Sequence, residues 1–287
     1  MTHQASETGA SADPVSGVGP IREFWTLAWP TVVTMLSYTV MQFVDAVLVA
    51  QVGPVEVAAQ GNGGVWSWAV IFSLVGVLSV VNTFVSQAMG AHRPHEVARY
   101  GWAGLWLGVM AWAVVLVPVG LVLPSLFGLM GHSAHITGME SDYAQVLVFG
   151  GVMVVVGKAM SNFFFGIQRP GVITVSAIAG NVVNLLVSYA LVFGRLGVPK
   201  LGLPGIPGIA PMGVVGSALG TVAGTAVEAS IPLVVFLGGR MDREFGVRAR
   251  WRLDIAAIRD LLRLGVPSAL QQGSEIITWA IFMSVLV

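Results

Sequence analysis

The sequence contains no cysteine and little charge: of 287 residues, 14 are Lys or Arg and 14 are Asp or Glu, 10% in all. The missing thiols exclude disulfides, thiolate metal sites and cysteine nucleophiles. The missing charge excludes more. A soluble domain carries roughly 25% charged residues, so neither a soluble enzyme nor a disordered chain fits. A net charge of zero leaves no basic face to neutralise phosphates, which excludes nucleic acid as a partner. The first 20 residues also lack a basic stretch and are small, polar and Pro/Gly-containing. They read as a disordered cytoplasmic tail, not a signal peptide.

What is present is apolar. The chain is 55% hydrophobic, with a mean hydropathy of +0.82. A hydrocarbon core about 30 Å thick needs about 20 apolar residues as helix. Six stretches meet that length, at about 24–50, 57–89, 98–123, 141–165, 171–194 and 213–238, and a seventh runs over 260–287. They are too long for barrel strands and lack strict alternation. The expected fold is an all-α polytopic membrane protein. Residues 1–20 form the tail, 21–238 a six-helix transmembrane lobe, 239–259 a cytoplasmic linker and 260–287 a seventh helix that opens a truncated second lobe. The segment 195–212, with Pro199, Pro204, Pro207 and Pro211, should be irregular. Residues Asp254 to Leu264 have helical apolar spacing suited to the membrane surface.

Orientation follows from the basic residues. With the N-terminus inside, Arg22, Arg93, Arg99, Arg169 and seven arginines between 240 and 263 face the cytoplasm, while only Arg195 and Lys200 face outward. The expected location is the plasma (inner) membrane, with lipids as neighbours.

Two segments resemble one another. Arg22-Glu23-Phe24-Trp25-Thr26-Leu27-Ala28-Trp29-Pro30 and Arg259-Asp260-Leu261-Leu262-Arg263-Leu264-Gly265-Val266-Pro267 share Arg, an acid next, Leu five after the Arg and Pro eight after it. Each starts a span from the inner side. Transporters are commonly built from repeats with the substrate site between them. On this reading the first six spans are one lobe, and the rest of a second lobe is missing.

A charge at mid-bilayer costs about 2.5–3.5 kcal/mol on insertion scales. Asp45, Lys158, Glu228 and Glu275 all fall inside spans. Asp45 is preceded by Thr31, Thr34, Tyr38 and Gln42 at steps of three and four, one polar face of one helix. Pro30, fifteen residues earlier, allows that helix to bend. The other reading of Asp45 is a hydrated group near the outer interface. Span five carries Thr174, Asn181, Asn184 and Ser188 on one face. They are oxygen donors for a hard cation or a protonated carboxyl, or plain interhelical hydrogen bonders. Span six carries Ser217, Thr221, Thr225 and Glu228 beside Gly216, Gly220 and Gly224. The glycines should let it pack tightly against a neighbour. Glu228 is either a second carboxyl in a cavity or a snorkelling group. Glu275 lies eight residues after Pro267, with Gln271 on its face. Lys158 reads as a snorkelling residue near the inner end of span four. His92, His95, His132 and His135 sit in loops without further ligands, and no metal site is expected.

Pro30, Val44-Asp45, the segment Val85-Ser86-Gln87-Ala88-Met89-Gly90-Ala91, the turn Gly166-Ile167-Gln168-Arg169-Pro170 and the stretch Gly213 to Thr221 resemble, in order and spacing, the multidrug and toxic compound extrusion (MATE) family. The likeness runs from about 22 to 287. It implies two six-helix lobes that open alternately to each side. It implies no cofactor beyond a coupling ion, H+ or Na+. It implies a first-lobe cation site at Asp45, Asn184 and Thr221. Ser188 stands where the family has Asp or Asn, and a serine cannot ionise. Glu275 matches a helix-seven glutamate that one branch uses for a second cation site. Glu228 is no part of that pattern.

The expected function is cation-coupled antiport exporting an organic, cationic or amphipathic small molecule, with Asp45 as the proton switch and Pro30 as hinge. Tyr38, Gln42, Asn181 and Glu228 are expected to line the cavity or the hinge. One lobe and one helix cannot form the cleft between lobes, so activity is expected to need the missing second lobe. A lipid flippase of the same superfamily is the alternative, and a larger basic cavity would favour it. A seven-helix receptor or light-driven pump predicts an outer N-terminus. A retinal pump also needs a lysine in span seven, and 258–287 has none.

Overall fold

The structure is a computed structural model and describes residues 20–198, 202 and 204–286. The side chains of Pro30, Thr31 and Glu275 lie outside the described residues. Helices α1 (Pro20–Ala50), α2 (Pro54–Leu78), α3 (Val80–Gly90), α4 (Pro94–Ala111) and α5 (Val117–Gly128) form the first half. Helices α6 (Ala134–Gly166), α7 (Gly171–Phe193), α8 (Gly213–Phe236), α9 (Gly239–Phe245) and α10 (Ile255–Leu286) form the second. Helices α2 and α3 join end to end, and α4 and α5 join through one π-helical turn at Trp112–Leu116. That turn stands just before Pro118, which has no N–H for a regular ladder.

Six stretches among the described residues are long and apolar enough to cross a membrane: Val32–Ala50, Pro54–Gly90, Pro94–Gly128, Ala134–Gly166, Gly171–Leu196 and Gly213–Phe236. The chain is a multi-pass, all-helical membrane protein, and these spans overlie the first six read from hydropathy. The linker is more ordered than its charge suggests. Helix α9 and a 3-10 turn at Val247–Arg250 occupy much of it. Helix α10 already starts at Ile255, so the stretch assigned to the membrane surface is the first part of the seventh helix. Asp254 explains the early start, because its Oδ1 accepts from the Ala257 N–H at 2.9 Å, an N-cap contact.

Two turns at one end of the bundle share a design. In Gly90-Ala91-His92-Arg93-Pro94 and Gly166-Ile167-Gln168-Arg169-Pro170, the third residue is left-handed, with φ of 54° at His92 and 58° at Gln168. The arginine N–H then reaches back to the helix end, from Arg93 to the Ala88 carbonyl at 2.9 Å and from Arg169 to the Phe164 carbonyl at 2.8 Å. This Schellman closure satisfies the last carbonyls, and the following proline prevents continuation. The same end carries ion pairs from Arg99 to Asp254 and from Arg169 to Glu244, which tie α4 and the α6–α7 turn to the linker.

The core sits between α4, α6 and α8, where Phe163 packs edge-on against Phe164 and Phe236. The tightest seam is α7 against α8. A Cβ on Gly216 would stand 2.6 Å from the Leu191 carbonyl carbon, and one on Gly224 2.7 Å from the Gly180 carbonyl oxygen. The doubled G-x-x-x-G is therefore a backbone-contact seam, and it brings the hydroxyls of α8 up against α7. Helix α10 packs against α2. Ser268 lies 3.4 Å from Ser79, and a Cβ on Gly265 would stand 2.7 Å from the Val77 carbonyl oxygen.

Candidate functional site

Asp45 points from α1 into the α7–α8 seam and is 7% exposed. Three neutral side chains donate to its carboxylate. Ser188 Oγ reaches Oδ1 at 3.1 Å. Thr221 Oγ1 reaches Oδ2 at 3.1 Å and Asn184 Nδ2 reaches it at 3.2 Å. The glycine seam explains the convergence, since only close backbones let a threonine on α8 and an asparagine on α7 meet at one carboxylate. Asn184, Ser188 and Thr221 are all buried. Asp45 is thus a buried acceptor held by neutral donors, not a hydrated interface residue. The cluster has hard oxygen donors from three helices, which suits a monovalent cation or a proton on the carboxyl.

A second polar level lies two helical turns along α1, about 10 Å away by helix rise. Asn181 Nδ2 donates to the Ser37 carbonyl at 2.9 Å and also meets the Ser37 hydroxyl. The Tyr38 hydroxyl donates to Glu228 Oε1. Lys158 Nζ lies 3.3 Å from the Tyr38 hydroxyl and 4.5 Å from the centroid of its ring. Tyr38, Lys158 and Glu228, with Gln42, border a cavity of about 160 Å³ walled by Trp68, Phe72 and Met153; Asn181 is not among its lining residues. The snorkelling reading of Lys158 is therefore wrong. Its ammonium turns inward, because α1 and α8 supply an aromatic face, a hydroxyl and a nearby carboxylate. Its own helix carries no such partner, so the sequence around Lys158 had no signal for this contact.

The other sequence candidates separate. Thr174 bonds back to the Pro170 carbonyl at 3.4 Å and stays out of the cluster. Thr225 bonds back to the Thr221 carbonyl at 2.9 Å. Ser217 accepts from Gln60 Nε2 at 3.3 Å, which adds α2 to the surroundings of Asp45. Pro30 and Glu275 belong to α1 and α10, with side chains outside the described residues. His132 meets the buried Glu140 carboxylate at 3.1 Å, and Asn62 Nδ2 donates to it at 2.9 Å. Reading the loop histidines alone did not anticipate that contact.

A family model described as MatE matches residues 30–190. The chain is 30% identical over 278 residues to "Multidrug resistance protein NorM" of Burkholderia vietnamiensis, covering 96% of this chain and 56% of that one. It is 28% identical over 250 residues to "Probable multidrug resistance protein NorM" of a Synechococcus species, covering 85% and 50%. The chain spans about half the length of the curated relatives it matches. Among solved structures, "Crystal structure of MATE in complex with MaL6" matches with a TM-score of 0.77 at 21% identity, over 92% of this chain and 55% of that one. "Crystal structure of MATE in the bent conformation" matches at 0.74 with 22% identity, over 92% and 55%. These structural likenesses establish the fold.

Proposed function

The chain belongs to the MatE family, a family of transporters rather than enzymes, and from that premise we propose that it acts in cation-coupled efflux of organic, cationic or amphipathic compounds. The names of its relatives, multidrug resistance proteins, support efflux as the direction. The observation that carries the reading is the meeting of Asn184, Ser188 and Thr221 at Asp45. A carboxylate buried among neutral donors can hold H+ or Na+ and changes charge when it does. Its charge then biases how α1 sits on the seam, which is what coupling requires: ion and substrate must favour different states. Ser188 adds a hydroxyl and no second charge, which favours the proton.

In this reading α1 is the moving part. Its backbone continues as helix through Pro30, where a ladder bond is missing. The remaining second-lobe helices and Glu275 would complete the cleft. The arginines at the end bearing the Arg99 and Arg169 ion pairs favour that end as cytoplasmic. The test is efflux of an organic cation from membrane vesicles carrying the chain joined to a complete second lobe, wild type against Asp45→Asn. Wild-type efflux should follow an imposed proton or sodium gradient and the variant's should not. Gradient-driven efflux of wild-type size in Asp45→Asn would reject the coupling role.

A further inference from the structure

Tyr38, Glu228 and the cavity beside them have the chemistry of a site for an organic ammonium ion. An aromatic face attracts a cation within about 6 Å of its centroid, a carboxylate supplies opposite charge, and Trp68, Phe72 and Met153 give apolar walls for the substituents. The protein's own ammonium fills this place. Lys158 Nζ stands 4.5 Å from the Tyr38 centroid and 3.3 Å from the hydroxyl that also donates to Glu228. Among the described residues the Tyr38 hydroxyl is its one hydrogen-bond partner, and no carboxylate lies within ion-pair distance of Nζ.

We propose that Lys158 is a tethered competitor cation: it occupies, against Tyr38 and Glu228, the subsite that an organic ammonium ligand takes when Lys158 swings away. The inference rests on the reading that the chain handles organic compounds, but it concerns binding alone and requires no coupling at Asp45. The side chain is attached within reach of the site, so its effective concentration there is high, as for any short tether. A free cation must displace it, and the displaced ammonium must find other solvation. Lys158 thereby weakens cation binding at rest and keeps Glu228 compensated while the subsite is empty of ligand. A ligand without positive charge gains nothing from displacing it.

The test is equilibrium dialysis of the purified chain with benzyltrimethylammonium, and with benzenesulfonate as an anion of similar size. Lys158→Met removes the competitor and keeps the stem. It should tighten benzyltrimethylammonium binding by about tenfold, the scale of one desolvated cation–π contact, and leave benzenesulfonate no tighter. Lys158→Gln should shift in the same direction. Adding Glu228→Gln to Lys158→Met should cancel the gain. Unchanged or weaker benzyltrimethylammonium binding in both lysine variants overturns the proposal. So does loss of strong benzenesulfonate binding in them, because Lys158 would then be an anchor for anions. The gain in the lysine variants is independent of Asp45→Asn, so failure here and failure of gradient coupling are separate results.

Discussion

The Thr221 hydroxyl lies 3.1 Å from Asp45 Oδ2 and 3.1 Å from the Ser217 carbonyl oxygen one turn back on α8. A hydroxyl has one hydrogen and can serve only one of these acceptors at a time. When Asp45 is charged, the stronger acceptor is the carboxylate. When Asp45 takes up a proton or a cation, the hydroxyl can return to the carbonyl. Thr221 is a donor set between two acceptors, of which a charged Asp45 is the stronger.

That relationship predicts coupled energetics. Thr221→Val keeps the shape and deletes the donor, and should lower stability at neutral pH by about 1–3 kcal/mol, the cost of an acceptor left short. In the Asp45→Asn background the same substitution should cost less, since the charge it served is gone. Thermal unfolding of the two single variants and the double variant in detergent gives the interaction energy. Simple additivity would mean that the two side chains do not depend on one another.

The α7–α8 seam predicts opposite signs for two Gly→Ala changes. A Cβ at residue 224 meets the Gly180 carbonyl oxygen and Asn184 Cβ, both at 2.7 Å, and neither is the free end of a flexible side chain. Gly224→Ala should destabilise by about 1–3 kcal/mol and spread the donors around Asp45. Gly61 is also helical but has nothing within 4 Å of the added carbon. Gly61→Ala should stabilise by about 0.5–1 kcal/mol through backbone entropy. Melting curves of both variants check the pair of signs.

Acid should release the start of α10. Bonds from Arg99 and from the Ala257 N–H hold the Asp254 carboxyl down at about 2, from an ordinary 3.8. A depressed carboxyl contributes stability above its unfolded value and loses it as pH falls towards the folded one. The contribution is thus intact above about pH 4 and fades between pH 4 and pH 2. The protection factor of the Ala257 amide, its exchange rate divided into the intrinsic rate at each pH, should fall across that window in wild type. Asp254→Ala should show fast exchange already at neutral pH, with a loss of about 1 kcal/mol from the cap. Asp254→Asn should retain much of the protection, because asparagine also caps.

Each member of the Asp45 cluster was legible as part of a regular polar face, but that these faces meet at Asp45 followed only from the resemblance to the MATE family. Steps of three, four and seven place Asn184 and Ser188 together on α7, and a step of four links Ser217 to Thr221 on α8. The spacing of Gly216, Gly220 and Gly224 marked α8 as the helix that makes the close contact. Lys158 was not legible. Its partners on α1 and α8 are 120 residues before it and 70 residues after it, and nothing periodic on α6 points to them. Glu228 remained open between cavity and interface for the same reason, until Tyr38 was found against it. The start of α10 was read apart from the seventh helix because the arginines before it look like plain linker; the Asp254 cap on Ala257 that sets it is also held by Arg99, 155 residues away.

The central claim is that Asp45 exchanges its ion when substrate binds. It is tested most directly by measuring proton release from the purified protein in weak buffer as an organic cation is added, wild type beside Asp45→Asn. The account predicts that wild type releases protons in proportion to ligand bound and that Asp45→Asn binds ligand without releasing them. Equal proton release by both proteins would contradict it.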